Sequence, residues 1–330
     1  MSGVRCINNK IKCITAILLL CSTVLTGCGL SYDFGYDPDS SVTSFRLNDT
    51  ANKGRVSSFA SGLCVTEGDA DKDKLSLGKN EAAGLFDIKN SETIYGCNLL
   101  EQMEPASLTK VMTALVALQN TPTDQMLTAT DAVNITESGA QLAGIRAGDK
   151  MTLDQALHIL LINSANDAAV MIAENVGGSV DGFTKMMNDE AKKLGATGCH
   201  FVNANGLTES DHYVTAYDLY LIFNAATQFE LFNQIIAMPE YSTEYYDGQG
   251  KAVSLSVKST DLYVKGSVDA PDNITIIGGK TGTTDAAGHC LILYVKDAPG
   301  NPYIAVILNA PTRDDLYKQM NELLSLIGQK

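Results

Sequence analysis

Ser107 and Lys110 stand three apart in Ser107-Leu-Thr-Lys110, a spacing that on a helix sets both side chains on one face. A serine hydroxyl is a poor nucleophile until a base takes its proton. A lysine amine can be that base when desolvation and a second cation keep it neutral. Alone the spacing carries little weight, because a chain with this much Ser and Lys holds roughly one such pair by chance. Ser76-Leu-Gly-Lys79 repeats it, but in a polar, charge-laced stretch with Gly at the third position, and a solvated turn is expected there. Ser107 instead follows Pro105 and opens an apolar segment, where its own backbone N–H is also a free donor.

Two further clusters could serve that nucleophile. Ser164-Ala-Asn166 falls between two helical stretches. Its hydroxyl could relay a proton while the amide holds a substrate carbonyl or positions Lys110. Equally, Ser164 or Asn166 could cap the helix that begins at Asp167. Lys280-Thr281-Gly282 lies inside Gly278-Gly-Lys-Thr-Gly-Thr283-Thr284, after the apolar run Ile274–Ile277. Small residues there let a substrate backbone lie along a strand edge, and Lys280 can depress the Lys110 pKa and attract a carboxylate. The plainer reading is a Gly-rich hairpin. A phosphate-binding P-loop is excluded, since the preceding Gly spacing and the following helix are both missing. Arg313, in Ala310-Pro-Thr-Arg just past the last apolar run, is either a carboxylate partner or a surface charge on the final helix.

The elements that must position these residues read as one α/β unit over 59–330. Gly62–Val65, Ala83–Ile88 and Thr93–Tyr95 look like strands. A helix carries Val111, Met112, Leu115, Val116 and Leu118 at helical spacing. Thr152-Leu-Asp-Gln155 is a capping box opening a helix to about Ile162. Helices are also expected from Asp167 to Asn175, from Val180 to Leu194 with Gly195 as C-cap, and over 215–226. Tyr241–Tyr246 and Ala252–Val257 flank the turn signal Asp247-Gly-Gln-Gly250. Ile274–Ile277, His289–Val295 and Tyr303–Leu308 read as buried strands, and Leu316, Met320, Leu323, Leu324 and Ile327 mark one face of a last helix. Strands at both ends with helices between predict one sheet built from the two chain ends, with a helical lobe inserted.

The 330 residues are 45% hydrophobic and 19% charged, a globular composition. The formal charge of −14 repels phosphate backbones, so nucleic acid is not an expected partner. Four His without metal-type spacing (158, 200, 212 and 289) argue against a zinc hydrolase, and no metal or cofactor is expected. Residues 1–27 read as an address. Arg5, Lys10 and Lys12 precede a short apolar run from Cys13 to Leu25, too short to span a bilayer comfortably. Leu25-Thr-Gly-Cys28 then resembles the lipobox of bacterial lipoproteins, which implies cleavage before Cys28 and a diacylglyceryl group on its thiol. Residues 28–58 are rich in Ser, Asp, Asn and Gly and read as a flexible tether. The remaining Cys64, Cys97, Cys199 and Cys290 show no pairing pattern, and buried free thiols are expected.

In combination the motifs are specific. S-x-x-K, S-x-N and K-T-G in this order resemble the serine penicillin-recognising enzymes. Pro105-Ala-Ser-Leu-Thr-Lys-Val-Met-Thr-Ala114, Asn163-Ser-Ala-Asn-Asp-Ala-Ala169, His200-Phe-Val-Asn-Ala-Asn-Gly-Leu207 and Lys280-Thr-Gly-Thr-Thr-Asp-Ala-Ala-Gly288 narrow the resemblance to the low-molecular-weight D-alanyl-D-alanine carboxypeptidases, over about residues 60–330. The resemblance implies a serine β-lactamase/transpeptidase-like α/β fold with an antiparallel sheet, a peptidoglycan stem peptide as substrate and β-lactams as covalent inhibitors. It implies that Ser107 attacks the penultimate D-Ala carbonyl, Lys110 is its base, and Ser164 with Lys280 passes the proton to the departing D-Ala. Asn166, Thr281, Gly282, Thr283 and Arg313 would bind substrate, and the backbone N–H groups of Ser107 and Thr283 would form the oxyanion hole.

The family often has His or a larger residue where Thr283 stands and Gly where Ala165 stands, both beside the expected pocket. Many relatives also continue into a β-rich second domain and an amphipathic anchor, and a lipid at Cys28 is expected to replace that anchor on the outer side of the bacterial membrane. Two rival readings are a class A β-lactamase and a non-catalytic penicillin-binding cell-wall lipoprotein. The first wants a Glu and an Asn four apart after S-x-N. Glu174, Asp181, Asp189 and Glu190 each lack that Asn.

Overall fold

The computed structural model describes residues 60 and 62–329. The expected address, Cys28 and the tether over 28–58 lie outside the described residues. Strand β1 (Ala82–Asp87) turns back into β2 (Glu92–Cys97). A 3-10 turn (Ala106–Leu108) then leads without a break into helix α1 (Thr109–Asn120). The inserted lobe follows, with β3 (Met126–Thr128), β4 (Lys150–Thr152), α2 (Leu153–Ile162), α3 (Asn166–Gly177), α4 (Val180–Leu194), α5 (Ala216–Ala226) and α6 (Glu230–Ile236). The hairpin β5 (Glu240–Tyr246) and β6 (Ala252–Lys258) precedes β7 (Ile274–Thr284), β8 (Gly288–Asp297), β9 (Pro302–Ala310) and helix α7 (Arg313–Leu324).

Both chain ends build one antiparallel five-stranded sheet in the order β2-β1-β9-β8-β7. Alternation decides its two faces. Ala82, Phe86, Ile292, Ile304, Val306 and Leu308 point into the large core shared with the lobe helices. Ala83, Leu85, Leu291, Leu293, Ala305 and Ile307 point to the other side. There they pack on Leu316, Met320, Leu323 and Leu324 of α7. Because both faces are covered, the middle strands are near-continuous apolar runs. β7 closes one side of the sheet with its outer edge unpaired.

Local signals set most boundaries. The capping box closes as expected, with Thr152 accepting from the Gln155 N–H and Gln155 reaching back to the Thr152 N–H. Gly195, at φ 79°, ends α4. Three features depart from the sequence reading. Gly62–Val65 forms no strand, because the Cys64 N–H donates to the Tyr220 hydroxyl at 2.8 Å rather than to a ladder. The strand expected over Ile274–Ile277 runs on to Thr284, so Lys280-Thr-Gly lies on a strand edge, the favoured reading, and the Gly-rich hairpin alternative does not hold. The lobe also carries a second sheet, β3-β4-β5-β6, two of whose strands have only three residues and so show no readable alternation. Cys64, Cys97, Cys199 and Cys290 are free thiols, but only Cys64 and Cys290 are buried as expected; Cys97 and Cys199 are partly exposed.

Candidate active site

Ser107 sits in the middle of the 3-10 turn that feeds α1, partly accessible, with buried Ala106 and Leu108 on either side. The i,i+3 relation holds: Lys110 Nζ lies 2.9 Å from Ser107 Oγ. Lys110 has no exposed surface. Its other two partners are the Asn166 side-chain oxygen at 2.7 Å and the Asn205 backbone carbonyl at 2.5 Å. Both of those are acceptors only. A neutral amine has two N–H groups and one lone pair, so with both N–H groups given to these oxygens the lone pair faces the serine hydroxyl. The ammonium form would donate to all three oxygens, so the protonation state is decided by burial and by neighbouring charge. Burial pulls the Lys110 pKa well below the ordinary lysine value, and the Lys280 cation adds to the effect, while Asp167 opposes it.

The turn itself is held from behind. Ala106 has φ 47°, a left-handed conformation that costs a non-glycine residue about 1–3 kcal/mol. The Val202 N–H donates to His212 Nδ1 at 3.1 Å, so Nε2 carries the hydrogen and donates to Thr109 Oγ1 at 2.9 Å. The Thr109 hydroxyl in turn donates to the Ala106 carbonyl at 2.9 Å. Gly206, at φ 82°, lies so close that a Cβ there would stand 1.9 Å from the Ala106 oxygen. The segment 203–206 therefore clamps the Ser107 turn and supplies the Asn205 carbonyl to Lys110.

Ser164 and Asn166 do not cap α3. The residue before the helix is Ala165 and makes no side-chain cap. Ser164, at φ 63°, accepts from Lys280 Nζ at 2.9 Å, and Asn166 is the first helical residue and receives Lys110. Next to it, the buried Asp167 carboxylate accepts N–H groups from Ala143, Gly144 and Ile145 at 2.8–3.1 Å. That fixes the loop whose Gln141 carbonyl accepts the Asn166 N–H at 2.8 Å.

From the other side, β7 brings Lys280, 1% exposed, which also donates to the Thr281 carbonyl at 2.7 Å. Burial lowers its pKa to about 7, and the nearby Asp261 carboxylate holds it from falling further. Thr281 Oγ1 meets Thr260 Oγ1 at 2.5 Å. A Cβ on Gly282 would stand 3.1 Å from the Pro105 carbonyl, the Ala106 Cβ and the Ser107 nitrogen, so glycine lets β7 run this close without displacing the turn. Thr283 is exposed, and its hydroxyl donates to the Gly282 carbonyl at 2.8 Å.

These walls enclose a cleft of about 340 Å³ that Ser107, Ser164, Thr281, Gly282, Thr283 and Arg313 all line. Lys110, Asn166 and Lys280 stand behind its surface. Every catalytic and substrate-binding residue singled out in the sequence within the described region therefore gathers here, and Ser76 does not: it lies in exposed coil. A larger hollow lined by Lys79, Asn98, Glu101 and Glu104 holds none of them. Sequence reasoning missed Asn205, Thr260, Gln141 and the His212–Thr109 pair. Of these only Asn205 had a local signal, in the turn-forming Asn203-Ala-Asn-Gly206. Among the described residues no group of three His, Cys, Asp or Glu side chains is placed to hold a metal ion.

A D-alanyl-D-alanine carboxypeptidase family model matches residues 76–312. The D-alanyl-D-alanine carboxypeptidase DacF of Bacillus subtilis is 31% identical over 252 residues, 74% of this chain and 61% of that protein. DacC of Escherichia coli is 27% identical over 251 residues, 73% and 59% respectively. The chain thus spans about three-fifths of the length of these curated relatives. Among solved structures, the Streptomyces K15 DD-transpeptidase shares the fold at TM-score 0.68 and 24% identity, covering 74% of this chain and 95% of that one. Penicillin-binding protein D2 from Listeria monocytogenes, solved in its cefotaxime-bound form, gives TM-score 0.63 at 27% identity, covering 76% and 98%.

Proposed function

This chain belongs to the D-alanyl-D-alanine carboxypeptidase family, and from that premise we propose that it removes the terminal D-Ala from peptidoglycan stem peptides through an ester on Ser107. The observation that carries the reading is the setting of Lys110: a fully buried amine 2.9 Å from the Ser107 hydroxyl, held by two pure acceptors, which when neutral can give both N–H groups to them and turn its lone pair to the serine.

The steps follow from the geometry. The Lys110 amine takes the hydroxyl proton as Ser107 Oγ bonds to the penultimate carbonyl carbon. The carbonyl oxygen becomes an oxyanion, received by the Ser107 and Thr283 backbone N–H groups. Collapse breaks the peptide bond, and the leaving D-Ala nitrogen takes a proton through Ser164, with Lys280 donating to that hydroxyl. Water then attacks the ester and releases Ser107. Thr281, Thr283 and Arg313 receive the substrate's terminal carboxylate, the Thr283 hydroxyl turning its hydrogen from the Gly282 carbonyl to the carboxylate, and the substrate backbone pairs with the open edge of β7 beside Gly282. In this reading residues 59–330 are the catalytic domain. Residues 1–27 are a lipoprotein signal peptide, and a lipid on Cys28, carried by the tether over 28–58, holds the enzyme on the outer side of the membrane. β-Lactams acylate the same serine.

Incubation with a fluorescent penicillin and with a pentapeptide ending in D-Ala-D-Ala tests this. Slow loss of label together with D-Ala release supports the carboxypeptidase. Fast penicillin turnover without D-Ala release would make it a β-lactamase, and no labelling would make it a non-catalytic lipoprotein. Ser107→Ala is expected to abolish labelling and Ser76→Ala to leave it intact. Incorporation of radiolabelled palmitate in cells, lost in Cys28→Ala, tests the anchor.

A further inference from the structure

In a chain with net charge −14, the lining of the active-site cleft contains no Asp or Glu. It does contain Arg313 and a second group able to carry positive charge, His289. His289 is half-buried near the start of β8, directly across from Thr283 in the β7–β8 ladder. Its Nδ1 lies 3.2 Å from Thr283 Oγ1.

The hydrogens on that pair are fixed by the network. While the Thr283 hydroxyl gives its hydrogen to the Gly282 carbonyl, or to a carboxylate in the cleft, it accepts toward His289 and Nδ1 carries the hydrogen. Neutral His289 therefore presents the bare lone pair of Nε2, which repels an anion. Protonation places an N–H at Nε2 and turns the same face into a donor, and nothing else in the ring has to move. The charged groups on the surrounding elements are Arg313 of α7, Lys280 of β7, Asp285 in the β7–β8 turn and Asp314 and Asp315 in the first turn of α7. Opposite His289, β9 contributes only Ala310. Asp315 is occupied by the Thr312 hydroxyl at 2.6 Å. Burial and then the Arg313 guanidinium hold the imidazole below its ordinary pKa, so at neutral pH the uncharged form prevails and a bound carboxylate has a proton to draw in.

Resting on the carboxypeptidase reading, we propose that His289 is a carboxylate-binding group of the cleft, whose imidazolium joins Arg313 in holding the terminal carboxylate of the peptide substrate, so that substrate binding takes up a proton. By linkage the carboxylate favours the proton on His289 and the proton favours the carboxylate, to the same extent.

The test measures affinity of the acylation-deficient Ser107→Ala chain for a pentapeptide ending in D-Ala-D-Ala, by calorimetry from pH 5.0 to 8.0. Binding is expected to tighten about ten-fold between pH 7.5 and 5.5, and the amide-terminated peptide to show no such gain. Adding His289→Gln, which offers a fixed N–H, should remove most of the pH slope and leave the part due to Lys280. Thr283→Val, which removes the acceptor that fixes Nδ1, should weaken the slope by the second route. In the chain with Ser107 intact, His289→Gln is expected to raise KM at pH 6 more than it lowers kcat, and fluorescent-penicillin stoichiometry reports whether each variant is folded. An unchanged slope in a folded His289→Gln chain, or equal tightening of the amide-terminated peptide, overturns the proposal. Failure of the parent chain to take penicillin or release D-Ala would instead overturn the functional reading beneath it.

Discussion

Lys280 Nζ donates to Ser164 Oγ at 2.9 Å across 116 residues of sequence. That bond joins the edge strand of the sheet to the start of α3 and closes the cleft over Ser107. It also places the Lys280 cation where it lowers the pKa of Lys110. The two lysines therefore have unlike tasks, set by unlike partners. Lys110 faces two bare oxygens and a hydroxyl, whereas Lys280 has the Asp261 carboxylate nearby to favour its charged form.

A fixed charge at position 110 should be as damaging as no amine at all. Lys110→Arg and Lys110→Ala are both expected to slow acylation by fluorescent penicillin about 10²–10⁴-fold, the usual range for loss of a general base. Arg cannot give up its proton in a protein. A Lys110→Arg chain that acylates within ten-fold of the parent would remove the base from Lys110.

The acylation rate should follow a bell-shaped pH profile. Lys110 is active as the neutral amine, so the rate rises with pH through its lowered pKa and the rising limb lies far below the ordinary lysine value. Lys280 acts as a cation, so the rate falls as pH passes about 7. The apparent values belong to the coupled pair. Second-order acylation constants from pH 4.5 to 9.5 check this, and Lys280→Ala should flatten the alkaline limb while lowering the maximum.

The chain from His212 through Thr109 to Ala106 predicts a split between two kinds of variant. Thr109→Val leaves the His212 N–H and the Ala106 carbonyl without their partner. It should cost about 1–3 kcal/mol of stability and slow acylation about ten-fold by loosening the turn. Thr109→Ser should restore both. Denaturant melts and penicillin labelling measure the two effects separately.

His212 also sets an acid limb of stability. Burial lowers its pKa to about 4 from 6.5, so the unfolded chain takes up the proton first. Its contribution is whole above about pH 6.5 and is lost as the pH falls toward 4, at about 1.4 kcal/mol per pH unit. Asp218 and Asp261, both raised to about 6 by burial, work in the opposite sense over the same range. The comparison of His212→Gln with the parent isolates the histidine: the variant should lose less stability between pH 6.5 and 4.5. An identical pH dependence in the two would mean that this imidazole is not held neutral.

Gly282→Ala adds a Cβ that meets the Ser107 turn at 3.1 Å. The turn must give by a few tenths of an ångström, which shifts the Ser107 N–H out of line. Acylation is expected to fall about 10- to 100-fold, with a stability change within about 1 kcal/mol. A melting curve beside the acylation rate distinguishes this from general unfolding.

Much of this site could be read locally. An i,i+3 pair after Pro105, the Thr152–Gln155 capping box and the Asp247–Gly250 turn each depend on neighbours a few residues away, and each formed as read. The Lys280-Thr-Gly segment was harder, because its glycines look like a turn until Gly282 is seen to pass Ser107 at contact distance. Thr260, Gln141 and the Asn205 carbonyl gave little or no signal, since their roles come from backbone atoms or single hydroxyls brought in from far along the chain.

Residue order therefore determined which chemical groups this protein owns and the short-range helices, turns and strands that carry them, because those follow from propensity, capping and period. The folded chain decided which of two Ser-x-x-Lys pairs lines the cleft: Ser107 does and Ser76 does not. Burial and a second cation lower the Lys110 pKa and two fixed acceptors hold its N–H groups, which is the setting the proposed base needs, and each of those arrives from a segment distant in sequence. Without that packing, Lys110 would be an ordinary ammonium, charged and unable to take the Ser107 proton.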